Sequence, residues 1–347
     1  MNINLYLENG YLDMRSIIET GFPFIFIPAA RGTGKTYGAL KYFTEELDQE
    51  NEIILLRRTQ TEIDLQNDPK GDGTSFQPVL TDMDIPWHVT RQKNIGYVWK
   101  ENPECDDVMD QLLSINLALS TFANIRGSFD YSDVNHVFFD EFIAESHVKK
   151  IKNEGMALAN FYESVNRNRE LQSRKPLQLI CAANSVNMAN DVFMYFDVIS
   201  EAEKMISDME EIRIVGNKLL VIPQKSPISE KKSKTALYQA VNKEFSEMAI
   251  SNKFILNDFS YVKPRSLAEY KCDFRIGDLY FFRHKSRTEW YVTFKKGECA
   301  EEYESSYSGL EMAKRAKWRF PGYYLDGLIR FESYRCIALF EKYFNFA

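Results

Sequence analysis

Short, continuous apolar runs alternate with helically spaced stretches through the first two hundred residues. Phe24–Ile27 (FIFI) reads as a buried strand, followed by a glycine-containing turn and a helix over Tyr37–Leu47. Ile53–Arg57 reads as a second strand, Leu112–Thr121 contains a third, and Val137–Asp140 and Leu177–Ala182 give a fourth and fifth. Strands that are apolar throughout are covered on both faces, so this alternation predicts an α/β domain on a mainly parallel sheet. Glu211–Ile222, with Gly216-Asn217 at its centre, predicts a hairpin at the end of that domain.

The pattern breaks at Pro223–Lys234, rich in proline, serine and lysine. Leu237, Val241, Phe245 and Met248 then repeat at helical spacing within Thr235–Ser251. Beyond about Asn257, Phe274–Arg283 and Glu289–Phe294 read as aromatic strands, and Ser308–Arg319 and Ser333–Tyr343 as helices. The expected organisation is an α/β domain over 1–225, a helical linker over 226–257 and a small α+β domain over 258–347. The loop Gln66–Gln77 is long, polar and glycine-containing, which predicts a mobile segment.

With 347 residues, 44% of them hydrophobic, the chain can bury two cores. The net charge of −7 excludes a globally basic nucleic-acid binder, yet residues 258–347 carry 16 Lys+Arg against 13 Asp+Glu. A local basic face therefore stays open to a phosphate backbone. Five cysteines without a C-x-x-C pair, and four scattered histidines, predict reduced thiols and no structural zinc. The amino terminus has no basic stretch leading into an apolar one, and apolar runs fall short of the roughly 18 residues of a membrane helix. A soluble, cytoplasmic protein is expected.

The turn after the first strand is Ala29-Ala30-Arg31-Gly32-Thr33-Gly34-Lys35-Thr36, the pattern G-x-x-x-x-G-K-[ST] with Ala in the first glycine position. Successive amides of such a turn form an anion-binding nest, and the following helix adds the positive end of its dipole. Gly32, Thr33 and Gly34 let backbone and phosphate approach, Lys35 supplies a cation to the β- and γ-phosphates, and Thr36 offers a hydroxyl to Mg2+. Arg31 within the loop reads equally as a second phosphate ligand or a solvated side chain. The alternative for the whole motif is an ordinary strand–turn–helix with a surface lysine.

About a hundred residues later an apolar strand ends on Asp140-Glu141. An acid at the carboxyl end of a parallel strand lies where ligands collect, so Asp140 is expected to hold Mg2+ opposite Thr36. Glu141, directed elsewhere, is expected to polarise the attacking water as general base. This pairing favours ATP hydrolysis over kinase or GTPase chemistry, and no N-K-x-D guanine signature is present. Asn184, after the fifth strand, is expected at the γ-phosphate or the lytic water; the plainer reading is a helix cap or turn. Arg126, Arg167 and Arg169 are the candidates for an arginine acting on a neighbouring subunit's γ-phosphate, against the plain reading of solvated or salt-bridged surface residues.

Ala29–Thr36, Leu56-Arg57-Arg58-Thr59 and Val137–Phe142 together resemble the phi29-like phage DNA packaging ATPases, short relatives of the terminase large subunits. Arg31 in the loop and the pair Arg57-Arg58 are hallmarks of that group. The resemblance implies a P-loop ATPase domain of the ASCE type, a short helical linker and a carboxyl-terminal domain like a degenerate RNase-H-like nuclease. It implies ATP and Mg2+ as cofactors and a ring of identical subunits, a pentamer in the family. The ring would be attached transiently to a portal and prohead in the host cytoplasm and drive double-stranded DNA inward. A structural RNA on the prohead is a further implied partner.

Within that frame Arg167 is preferred as the trans-acting arginine, and Asn184 would couple hydrolysis to motion. The tail shows no obvious acidic cluster for two-metal cleavage, so no nuclease activity is expected. Its run Lys314-Arg315-Ala316-Lys317-Trp318-Arg319 suits a nucleic-acid backbone or one face of a solvated helix, and Lys70 is a possible pore contact. Two alternatives lie outside packaging: a helicase- or partition-like ATPase, and a non-hydrolysing ATP switch.

Overall fold

The first element, β1 (Phe24–Ala29), is buried along five of its six residues, as an apolar strand with helices on both faces must be. In the computed structural model the described residues are 3–46, 52–68, 74–101, 110–127, 130–144, 151–184, 188–224, 226–240 and 261–345. The other strands of the larger sheet are β2 (Glu52–Arg57), β3 (Trp87–Gln92), β4 (Ile95–Lys100), β5 (Gln111–Ala118), β6 (Val134–Asp140), β7 (Gln178–Asn184), β8 (Ile212–Val215) and β9 (Lys218–Val221). Their order is β3-β4-β5-β2-β6-β7-β1-β9-β8.

The run β5-β2-β6-β7-β1-β9 is parallel throughout. The β3–β4 and β8–β9 hairpins extend it antiparallel at the two edges. The α/β fold with a large parallel sheet is the one expected. Strand β7 stands between β1 and β6, which is the ASCE arrangement: the phosphate loop and the acid pair leave the sheet one strand apart. Phe26, Phe138 and Phe139 are fully buried, and burial of each such ring contributes roughly 1.5–3 kcal/mol. Arg58 leaves the end of β2 and meets Glu154 through two hydrogen bonds of 2.6 and 2.9 Å, a buried pair that pins the start of the helix Glu154–Asn166.

The edge hairpin β3–β4 was not anticipated from the sequence. The stretch read as the single strand Phe274–Arg283 contains two, β10 (Tyr270–Ile276) and β11 (Leu279–His284), joined at Gly277-Asp278. With β12 (Trp290–Thr293), β13 (Glu301–Tyr303) and β14 (Ile329–Phe331) they make a second sheet of order β13-β10-β11-β12-β14. Helices Tyr307–Ala316 and Tyr334–Phe344 accompany it. Its core is aromatic: Phe274 stacks on Phe281 with ring centroids 4.2 Å apart, and Trp290 meets Phe320 at 4.6 Å.

Cys272 and Cys299 form a disulfide, which corrects the expectation of reduced thiols throughout. The parallel pairing of β13 beside β10 carries Cys299 back to Cys272, and spacing along the chain does not reveal that pairing. Cys181 and Cys336 are free and buried.

The chain divides into two compact units, Met1–Asn187 with Lys204–Ile255, and Met188–Glu203 with Leu256–Ala347. The described part of the segment expected as a linker, residues 226–240, falls in the first unit. Met188–Glu203 joins the second, where Asp197 pairs with Arg335 at 2.8 Å and Glu203 accepts from the Tyr334 amide. Of the helical run Thr235–Ser251, Ala236–Ala240 is helical and residues 241–251 lie outside the described residues, as do Lys70 and Asp258. Among the described residues no helix is long and apolar enough to cross a membrane.

Candidate nucleotide-binding site

Strand β1 delivers the chain into the loop with Ala29 fully buried and in register with Asn184 of β7. Because Ala29 is extended strand, its β-carbon is accommodated and glycine is unnecessary there. The turn itself requires glycine: Gly32 and Gly34 have φ of 67° and 89°. A β-carbon on Gly34 would also stand 3.0 Å from the ring of Tyr11. The Thr33 hydroxyl donates to the Ala30 carbonyl at 3.0 Å, closing the turn, and the helix Lys35–Glu46 begins immediately after it.

Lys35 is buried, and its ammonium donates to the carbonyls of Ala29 and Ala30 at 3.0 and 2.9 Å. Burial pushes its pKa down to about 8, against the opposing pull of Asp140. The Thr36 hydroxyl lies 3.1 and 3.0 Å from the two carboxylate oxygens of Asp140. A hydroxyl and a carboxylate held this close are hard oxygen donors of the kind Mg2+ takes beside a phosphate, so these residues fit that ion.

Glu141 has φ 59°, a left-handed conformation uncommon for a residue with a side chain. Consecutive strand residues point to opposite faces. The left-handed turn instead brings the Glu141 carboxylate round to the side of Asp140. Arg57 shows this directly, pairing with Asp140 at 2.8 Å and with Glu141 at 2.9 Å. The expectation that Glu141 points elsewhere is thus replaced by two acids sharing one guanidinium. Strand β2 lies next to β6, so the last residue of one meets the last residue of the other. Arg57 belongs to the site, and strand adjacency, unknown from sequence, was the signal needed to place it there.

Gly32, Thr33, Gly34, Lys35, Thr36, Tyr37, Asp140, Glu141, Ala183 and Asn184 line one cavity of about 250 Å³. Asn184 is half-buried at its end, and the next described helix, Asp191–Tyr195, is capped by Asn190 instead. Arg31 is exposed at the loop.

The three arginines considered for trans action separate sharply. Arg169 is 3% exposed; it donates to Asn135 Oδ1 at 2.9 Å and to the carbonyls of Tyr131, Ser132 and Val134. Those bonds commit it to its own subunit, a correction to its candidacy. Arg167 is exposed at the end of the helix Glu154–Asn166, 3.4 Å from Asp130 and over the Tyr131 ring at 5.7 Å. Arg126 is exposed and lines a second cavity with Phe122, Lys152 and Met156. In the carboxyl-terminal run, Lys317 is held by Glu301 at 2.9 Å and Lys314 by Glu311 at 3.0 Å, while Arg315, Trp318 and Arg319 are exposed.

Known proteins resemble this chain in sequence and in fold. A DNA packaging protein of Bacillus phage B103 is 27% identical over 244 residues, covering 70% of this chain and 67% of that protein. Those of Bacillus phages PZA and phi29 are each 30% identical over 138 residues, 39% of this chain and 38% of their own lengths. Among solved structures, the Phi-28 gp11 DNA packaging motor superposes with a TM-score of 0.63 at 15% identity, covering 97% of this chain and 98% of that one. The bacteriophage Phi-29 viral genome packaging motor assembly also gives 0.63, at 20% identity over 98% of this chain and 100% of that one. The Podovirus DNA encapsidation protein (Gp16) family matches residues 106–280, just over half of the sequence, and the chain belongs to that family.

Proposed function

We propose that the chain is the ATP-hydrolysing subunit of a phage motor that translocates double-stranded DNA into a prohead. The observation that carries this reading is the contact of Thr36 with Asp140 across the cavity, with Lys35 and Glu141 on its wall. In this reading the loop amides and Lys35 bind the triphosphate, and Thr36 and Asp140 hold Mg2+. When bound, that ion neutralises phosphate charge and orients the β- and γ-oxygens. Glu141 accepts the proton of the attacking water as its oxygen bonds to the γ-phosphorus and the bond to the β,γ-bridging oxygen breaks. Asn184, at the end of β7, stands where the lytic water or γ-phosphate is held.

Hydrolysis at interfaces of a homo-oligomeric ring, with Arg167 of a neighbouring subunit on the γ-phosphate, is the finer part of the proposal; Arg126 is the second choice. The exposure of Arg167 and the internal commitment of Arg169 support that order. The domain reading is a nucleotide-binding unit followed by a carboxyl-terminal unit that meets nucleic acid or portal through Arg315, Trp318 and Arg319. Nuclease activity is not part of the proposal: Glu301, Glu302 and Glu332 are engaged by Lys317, Arg275 and Lys295. The working location is the host cytoplasm, with transient attachment to a prohead and a possible structural RNA.

Glu141→Gln should bind ATP yet lose turnover, read by nucleotide titration beside phosphate release; undiminished turnover would remove Glu141 as the base. Packaging of DNA into purified empty proheads separates the motor from a helicase-like ATPase, which would instead part strands without capsids.

A further inference from the structure

The second cavity, of about 240 Å³, opens between the short helix Leu119–Phe122 after β5 and the start of the helix Glu154–Asn166. Leu119 and Phe122 are buried and give it an apolar floor, beside the exposed Met156. Arg126 and Lys152 also line it, both exposed, and neither forms an ion pair among the described residues. Both walls are tied to Arg58: its carbonyl accepts from the Ser120 amide at 3.1 Å, and its guanidinium grips Glu154. The preceding residue, Arg57, holds Asp140 and Glu141. A concave apolar site edged by two cations suits a protruding apolar side chain with a carboxylate beside it. A duplex backbone offers phosphates but no such protrusion to fill the hollow.

Within the first unit, the turn Leu7-Glu8-Asn9-Gly10 carries that combination. Leu7 is 44% exposed, and Glu8 is exposed with no hydrogen bond or ion pair among the described residues. The Gly10 amide closes the turn on the Leu7 carbonyl at 2.8 Å. Acids next to other exposed large apolar residues of that unit are engaged: Asp64 by Arg91, Glu170 by Asn166, and Asp208 and Glu210 by Arg213. Lys231 Nζ braces the turn by donating to the Asn9 carbonyl at 3.1 Å. The Leu12 amide donates to the Thr33 carbonyl at 2.9 Å, and the Tyr11 ring lies against Gly34. The turn thus rests on the phosphate loop after β1, whereas the cavity follows β5. Strands β2, β6 and β7 stand between them, roughly 19 Å at ordinary strand spacing, so a subunit cannot fill its own cavity.

We propose that this cavity receives the Leu7-Glu8 turn of a second copy of the chain, Leu7 on the apolar floor and Glu8 against Arg126 and Lys152. The contact is head-to-tail, because each added subunit leaves one turn and one cavity free, and such contacts can close into rings. It deepens the ring part of the proposed function, rests on that reading, and gives Arg126 to docking. The segment lying on one subunit's phosphate loop then presses on the elements that Arg58 ties to the next subunit's acid pair.

The test is sedimentation velocity of the full chain over a concentration series. Glu8→Arg and the double variant Arg126→Glu/Lys152→Glu should each weaken self-association about tenfold or more, with Glu8→Gln weakening it less. Mixing the two charge-reversed proteins should restore association, since the intact turn of one meets the intact cavity of the other. Unchanged association in these variants, or no recovery on mixing, overturns this inference and leaves the ring standing. Loss of duplex-DNA binding in the double variant with association unchanged would give the cavity to nucleic acid and overturn it likewise. An unmodified chain that stays monomeric at every concentration removes the ring reading, and this inference with it.

Discussion

Arg167 and Arg169 lie two residues apart in one sequence motif, yet their substitution should have opposite consequences. Arg169→Ala removes a donor from the carbonyls of Tyr131, Ser132 and Val134; the first two keep the Val134 amide and Arg174 as donors. The lost donor to Val134, the lost bond to Asn135 and the lost packing of the guanidinium stem together cost about 2–4 kcal/mol. In a unit of this size each kcal/mol shifts the midpoint by roughly 2–4 °C, so Tm should fall by about 10 °C. Arg167→Ala removes an exposed ion pair of 3.4 Å with Asp130 and a ring contact of 5.7 Å, both screened by solvent. Its Tm should stay within about 2 °C of the parent, while turnover of the assembled ring falls about 10³-fold or more. Differential scanning calorimetry beside phosphate release at ring-forming concentrations reads both quantities. Turnover unchanged in Arg167→Ala, or a folded and fully stable Arg169→Ala, would refute the division of roles.

Two further predictions concern the same unit. Gly34→Ala places a β-carbon at φ 89° and 3.0 Å from Tyr11, so ATP affinity should drop by about tenfold or more in equilibrium titration. His136, half-buried beside the Phe43 ring, has its pKa pushed down to about 4 by burial, with Arg169 adding to the effect. Between about pH 4 and 6.5 the unfolded chain then binds a proton that the folded one refuses, so stability declines as pH falls through that window, by roughly 3 kcal/mol. His136→Gln should flatten the corresponding part of the melting-temperature profile.

The parts of the site that sequence revealed are contiguous. Ala29–Thr36 is one turn between a strand and a helix, and Asp140-Glu141 ends one strand, so spacing and hydrophobic pattern suffice to find them. The contributions that escaped depend on which strands are neighbours. Arg57 meets both acids only because β2 lies beside β6, and Cys272 meets Cys299 only because β13 returns parallel to β10. The amino-terminal turn reaches the phosphate loop through Tyr11 and Leu12 and has no motif of its own. The β3–β4 hairpin failed for a different reason. It is an edge pair, Arg91 and Gln92 are solvated, and its half-polar pattern resembles a loop more than a core strand. Gly277-Asp278 did carry a hairpin signal, but the aromatic residues on both sides of it read as one run.

The shared guanidinium of Arg57 bears on how the two acids are held. A carboxylate is a general base through a lone pair free to take a proton, and the 2.9 Å ion pair with Arg57 engages one oxygen of Glu141. Asp140 has two carboxylate oxygens, so it can keep Arg57 on Oδ2 and still offer Oδ1 beside Thr36 to a divalent ion. In the proposed mechanism Arg57 therefore orients both acids at once, because both bonds come from the same rigid fork. The left-handed backbone of Glu141 keeps its carboxylate beside that fork, an arrangement that strand order alone brings together.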